Sequence, residues 1–237
     1  MTRDTPTLAI LTFILTIAFA LSPALTPGFA GYSPDQFPVV QDFWPIQPAG
    51  WAFSIWGVIY IWLIAGAGWG LWKAPFDPDW RAMRMPLAVS LGIGVFWVAV
   101  ANAAPVLATV MIFVMAVTAI IAMLRAGSAN RVWQMRPVAL YAGWLTAATG
   151  VGTGVVLGGY GLLSPQTAAL TMLVAVLAVA LWVQSLRQDE WGYPLAIIWA
   201  LAGVIAANAS KGNWLIIALA TVGIVALGAR VLQAQRR

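Results

Sequence analysis

Residues 48–72 read PAGWAFSIWGVIYIWLIAGAGWGLW, and no charge interrupts them before Lys73. At 1.5 Å rise per residue, a helix of this length crosses a hydrocarbon core about 30 Å thick. The stretch also carries Trp51, Trp56, Trp62, Trp69 and Trp72. Tryptophan settles at membrane interfaces, where its N–H reaches water or headgroups. Trp51 and Trp72 sit where they can do this. Trp56 and Trp62 lie deeper, so their N–H groups need partners inside protein. Several interior indoles on one helix make an aromatic wall, which suits a flat, apolar ligand.

The rest of the chain extends this reading. Of 237 residues, 62% are hydrophobic and 8% charged, and the mean hydropathy is +0.89. This is the composition of an all-α, polytopic helical membrane protein. Eight spans are expected, at 8–25, 51–72, 85–102, 105–124, 137–157, 166–186, 193–208 and 214–232. The first reads as a retained helix rather than a cleaved leader. Only Ala103 and Ala104 separate the third span from the fourth. Pro105 sets the cut, because proline disfavours helix at the residue before it.

Charge supports this count. With eight spans, eleven of the twelve basic residues fall on one side, and only Lys211 falls on the other. The positive-inside rule then puts both termini in the cytoplasm, and the expected location is the inner membrane. The net charge of +5 reflects this topology, not nucleic-acid binding. The expected partners are the bilayer and a small apolar ligand.

Several chemistries are excluded. The chain has no Cys and no His, which removes disulfides, thiolate nucleophiles, histidine acid–base catalysis and ordinary zinc sites. All seven carboxylates lie outside the expected spans. Proton- and ion-coupled transporters place such groups inside them. No catalytic residue, metal site or required cofactor is expected.

Residues 26–50, between the first two spans, contain Pro27, Pro34, Pro38, Pro45 and Pro48 with Phe29, Tyr32, Phe37, Phe43 and Trp44. Proline at this density prevents a regular helix, and the aromatics favour a compact cover over the helix ends. Gly143, Gly150, Gly154 and Gly158 share one face of the fifth span and predict close helix packing. Trp80, Trp133 and Trp191 sit beside charges and read as an interfacial belt.

Pro48, Gly50, Trp51, Phe53, Trp56 and Tyr60 match, in order and spacing, the entry to the second helix of the tryptophan-rich sensory proteins, bacterial relatives of the mitochondrial translocator protein. Tyr141, Trp144, Ala147, Ala148 and Thr149 resemble that family's fifth helix, with Gly152 at its asparagine position. The fourth span lacks the family's acidic residue, and Trp97 precedes Asn102 where the family has the reverse order.

The resemblance covers residues 8–160. It implies a five-helix bundle over 1–160, closed by residues 26–50 as a lid, with three further helices in 161–237. It also implies a receptor or carrier for a porphyrin or related tetrapyrrole-pathway molecule. The ligand would be lined by Trp51, Phe53, Trp56, Tyr60, Trp97, Asn102 and Trp144. The alternative is a structural or assembly subunit of a larger membrane complex that docks on other membrane subunits through spans six to eight, whereas a homodimer goes with the receptor reading. The only enzymatic reading is light-driven breakdown of the ligand by the indoles.

Overall fold

A computed structural model describes residues 6–26, 29 and 31–235. Arg3, Asp4, Arg236 and Arg237, used in the charge argument, and Pro27 of the loop lie outside the described residues. The described chain folds into eight helices: α1 (Thr7–Leu21), α2 (Ile55–Lys73), α3 (Pro78–Ala103), α4 (Pro105–Arg125), α5 (Arg136–Gly159), α6 (Pro165–Leu186), α7 (Gly192–Ala209) and α8 (Trp214–Gln235). With the 3₁₀ turn that carries α1 on to Leu25, all eight segments are long and apolar enough to cross a membrane. The protein is an integral helical membrane protein.

Local chemistry sets the helix ends. Pro105 opens α4, and Ala104 before it leaves helical geometry at φ −142°, ψ 79°, so one apolar run becomes two helices. α3 starts seven residues before the expected Met85. The Asp77 carboxylate accepts from the Asp79 and Trp80 N–H groups, and Pro78 takes the first turn, a favourable helix start. Residues 50–54 form a 3₁₀ turn before α2, so Trp51 and Phe53 stand on this turn and not on the α-helix proper.

α5 is the hub. α4, α6 and α7 pack directly on it, and α2 touches it more lightly. α3 joins α4 to α1, α1 lies on α2, and α8 covers α7 and α6. The glycine face of α5 lies where these neighbours come closest. A Cβ at Gly143 would meet the Tyr193 carbonyl, one at Gly150 the Val176 side chain, and one at Gly154 Ile46 and Met172. This face is used for packing within the chain. The boundary expected at 160/161 falls in the α5–α6 turn, but packing runs across it: Tyr193 Oη and Thr146 Oγ1 on α7 and α5 share a hydrogen bond at 3.1 Å.

The two ends of the bundle differ in charge. One carries Lys73, Arg81, Arg84, Arg125, Arg131, Arg136, Arg187 and Arg230 near its helix ends and is called here the basic end. The other carries residues 26–50 and is called the loop end. Trp80 at the basic end corrects the belt reading. It is 4% exposed, lies against Gly70 and stacks on Trp69 at 5.7 Å. Burial of the start of α3 carries it inward, whereas Trp133 stays 37% exposed.

Candidate functional site

The loop after α1 lies across the loop end as an irregular cover with one short 3₁₀ turn at Pro34–Gln36. It is fixed to the ends of three helices. Gln36 Nε2 donates to the Ala101 and Asn102 carbonyls at the end of α3, both at 3.2 Å. Val39 N–H donates to the Gly159 carbonyl of α5 (2.9 Å). On α7, Asn208 Nδ2 donates to the Pro45 carbonyl (2.8 Å), and Ala49 N–H donates to the Gly203 carbonyl (3.0 Å). Tyr32, Phe37, Trp44 and Ile46 are buried beneath this cover. Gly31, at φ +117°, makes the turn that lets Gln47 pack over it, and Gln47 Oε1 accepts from the Tyr32 N–H (3.0 Å). Burial pushes the Tyr32 phenol up, and its hydrogen bond to Thr109 partly offsets this.

Beneath the cover is a chamber with aromatic walls. Phe29, Tyr32, Gln47 and Pro48 close it from the loop. Phe53 enters from the 3₁₀ turn before α2, Trp56 from the start of α2, Trp97 from α3 and Ile112 from α4. Trp144, Ala147, Ala148, Val151 and Gly152 come from α5, and Ala200 from α7. The rings meet edge to face: Phe29 and Trp97 at 5.1 Å, Phe53 and Trp144 at 5.9 Å, Trp56 and Trp144 at 6.0 Å. This geometry suits the ring quadrupoles. The side chains fill most of the chamber. The free space is about 30 Å³, room for about two waters.

Of the expected site residues, Phe53, Trp56, Trp97 and Trp144 line the chamber and the other three do not. Trp51 is 48% exposed and stands edge-on to Trp199 of α7 at 5.0 Å, because the 3₁₀ turn sends it and Phe53 in different directions. Tyr60 lies one turn further along α2 and stacks on the back of Trp56 (5.3 Å, 16°). Asn102 is at the exposed end of α3, where its carbonyl holds the loop. The sequence reading placed Phe29 and Tyr32 in the cover without giving them to the wall. It missed Gln47 and Ala200 altogether. An alanine carries no local signal of a site, and α7 had been set apart from the bundle.

The indole N–H groups differ in what they do. Trp97 Nε1 donates to the Ala108 carbonyl (2.9 Å) and joins α3 to α4. Trp199 Nε1 donates to the Ala52 carbonyl (2.8 Å) and joins α7 to the 3₁₀ turn. Trp144 Nε1 is buried without a partner among the described residues. A buried donor left unpaired costs about 1–3 kcal/mol. At Gly152, the position of the family's asparagine, a Cβ would meet Thr109 Oγ1 at 3.1 Å, so Thr109 stands where that side chain would begin. Among the described residues no Asp, Glu, Lys or Arg lines the chamber, and no group of three His, Cys, Asp or Glu could hold a metal ion. The walls can bury and stack a ring, and they present the Trp144 N–H and the Gln47 side-chain amide as polar groups.

The fold and chamber define a class: a helical membrane protein with an aromatic chamber beneath a proline-rich cover. A match to the TSPO-like protein family spans residues 7–232, and the chain belongs to that family. The match runs through α6, α7 and α8, which extends the family region beyond the resemblance that motifs carried to residue 160. No curated protein and no solved structure matches the chain.

Proposed function

We propose that the chamber receives a flat, apolar ring molecule of the tetrapyrrole type and that the protein acts as its receptor or carrier. The observation that carries this reading is Trp144: a 2% exposed indole whose N–H has no partner among the described residues and belongs to the wall of a largely apolar, ring-lined chamber. A ligand acceptor there would satisfy a donor that the protein leaves unpaired. Binding, rather than catalysis, fits a wall that offers no carboxylate and no amine.

The free space of about 30 Å³ is far below the roughly 300–1,000 Å³ of small-molecule pockets. Residues 26–50 therefore act as a lid: the ring enters when Phe29 and Tyr32 withdraw with it. The basic end faces the cytoplasm of an inner membrane, as the positive-inside rule requires.

Quenching of tryptophan fluorescence by protoporphyrin IX, titrated into the detergent-solubilised protein, tests the site. Trp56→Leu and Trp144→Leu are expected to weaken binding by about 1–3 kcal/mol each, while Trp133→Leu leaves it unchanged. Equal losses at all three positions would overturn the assignment. Orientation is read with an impermeant thiol reagent on intact cells: Ser33→Cys is expected to label and Ser128→Cys is not. The reverse result would overturn the topology.

A further inference from the structure

A second cavity lies behind the first. It runs between α5, α6 and α7 and is lined by Ile46, Leu173, Val176, Ile197, Leu201 and Val204. Ala147, Val151 and Ala200 line it too, and the same three residues line the aromatic chamber. They form the wall that the two spaces share.

The two linings differ in kind. The chamber is walled by rings, whereas the crevice has none and offers no polar side chain. Its free space of about 20 Å³ is large enough for one water, but a water there would lack the two to four partners it needs. Such a space is filled by hydrocarbon or stays empty at a cost in packing.

The crevice is lined mostly by buried side chains. Ile46, Leu173, Val176, Ile197, Leu201 and Val204 are all buried. Its neighbour is the chamber, and one loop occupies both. Phe29 and Tyr32 stand in the chamber, and Ile46 stands in the crevice. Asn208 Nδ2 holds the Pro45 carbonyl beside Ile46. Lifting the loop withdraws rings from one space and a branched aliphatic chain from the other.

From this we infer that the ligand is a ring carrying a flexible hydrocarbon chain, with the ring in the chamber and the chain passing between Ala147, Val151 and Ala200 into the α5–α6–α7 crevice. The inference rests on the ring-binding reading above and adds the chain to it. It also gives α6 and α7 a direct part in recognition.

The test is photo-crosslinking on the full chain in detergent. The probe is a protoporphyrin ester whose alkyl chain ends in a diazirine, and adducts are mapped by peptide mass spectrometry. Adducts are expected on residues 173–177 and 197–204, suppressed by excess untagged ester. Val176→Phe, which fills the crevice from α6, should lose these adducts and keep fluorescence quenching by the ring. Where that variant does not fold, Val204→Phe fills the same space from α7.

Quenching with adducts confined to outward-facing Val174 or Val179 would overturn the inference and leave the ring site standing. So would equal labelling of the crevice by a diazirine-tagged phospholipid, which would make the occupant a bilayer acyl chain. Absence of quenching by either ester would overturn the ring site itself, and the inference with it.

Discussion

The two ends of this bundle use the same residue types for opposite purposes. At the basic end, tryptophan and arginine close the structure. Trp62 Nε1 donates to the Val132 carbonyl at 2.8 Å and so ties α2 to the turn before α5. Arg84 donates to the Gly70, Ala74 and Pro75 carbonyls at 2.8–2.9 Å, which satisfies the end of α2. Arg187 does the same for α4 through the Leu124 and Ala126 carbonyls. At the loop end, Trp44 and Trp144 are buried with no partner for either N–H among the described residues, and the space around Trp144 is lined largely by rings and small side chains. An indole whose N–H is paired within the protein holds helices together. One whose N–H is buried and unpaired beside a cavity is available to a ligand. The rule has a boundary, since Gln134, Arg136 and Glu190 at the basic end also keep unpaired buried atoms.

The comparison breaks most visibly at Arg84. The side chain is buried and serves three carbonyls, so Arg84→Ala should destabilise the protein by about 1–3 kcal/mol, the range for leaving buried acceptors without their donor. Denaturation in mixed micelles would read this. The folded fraction should still bind protoporphyrin normally, because Arg84 is at the far end from the chamber. A loss under about 1 kcal/mol would show that water replaces the guanidinium and that the end of α2 needs no clamp.

A matched pair of tryptophan substitutions sharpens the comparison. Trp62→Phe removes the donor to Val132 and should cost about 1–2 kcal/mol of stability with no change in protoporphyrin affinity. Trp144→Phe removes no protein hydrogen bond. Relief of the unpaired donor offsets the cavity left by the smaller ring, so stability should fall less than in Trp62→Phe, while the ligand weakens by about 1 kcal/mol, the worth of one hydrogen bond. If both variants lose stability alike and neither loses affinity, the distinction between paired and unpaired indoles fails.

Much of this architecture could be read in the residues. The cut at Pro105, the eight apolar spans and the glycine face of α5 follow from local steric rules. The paired partner expected for Trp62 is also found, at Val132. Other features depend on tertiary placement. α3 extends back through Arg81 and Arg84 because the Arg84 head finds carbonyls, so charge density misplaced the helix start. Trp80 turns inward with that extension. Trp51 and Phe53 part because a 3₁₀ turn replaces α-helix, and that difference is not visible in apolar periodicity. Ala200 enters the chamber wall only because α7 packs on α5 and on the 3₁₀ turn, where Gly203 lets Pro48 and Ala52 approach.

The smallest expected effect concerns the unpaired groups at the basic end, where the rule drawn from the indoles stops. Glu190 is buried, and its Oε1 accepts from the Gly192 N–H at 2.7 Å, at the first residue of α7. Its Oε2 has no partner. Asp189 beside it is paired with Arg131 at 2.7 Å and faces Arg187 at 3.7 Å, while the Arg136 guanidinium stacks over Trp191 at 5.1 Å. Burial raises the Glu190 carboxyl above its ordinary range and outweighs the Gly192 N–H and the Arg136 charge, which lower it. The folded protein therefore holds this proton more tightly than the unfolded chain does. The resulting stability is fully present below the unfolded value and is lost as pH rises through the folded one. Glu190→Gln keeps an acceptor for Gly192 and removes the titration. The variant should show a flatter decline in stability across the mildly acidic range and be slightly more stable than the wild type above it. Matching pH profiles for the two proteins would mean that Arg136 neutralises Glu190 completely, and that unpaired charged atoms at this end carry no cost comparable to the one assigned to Trp144.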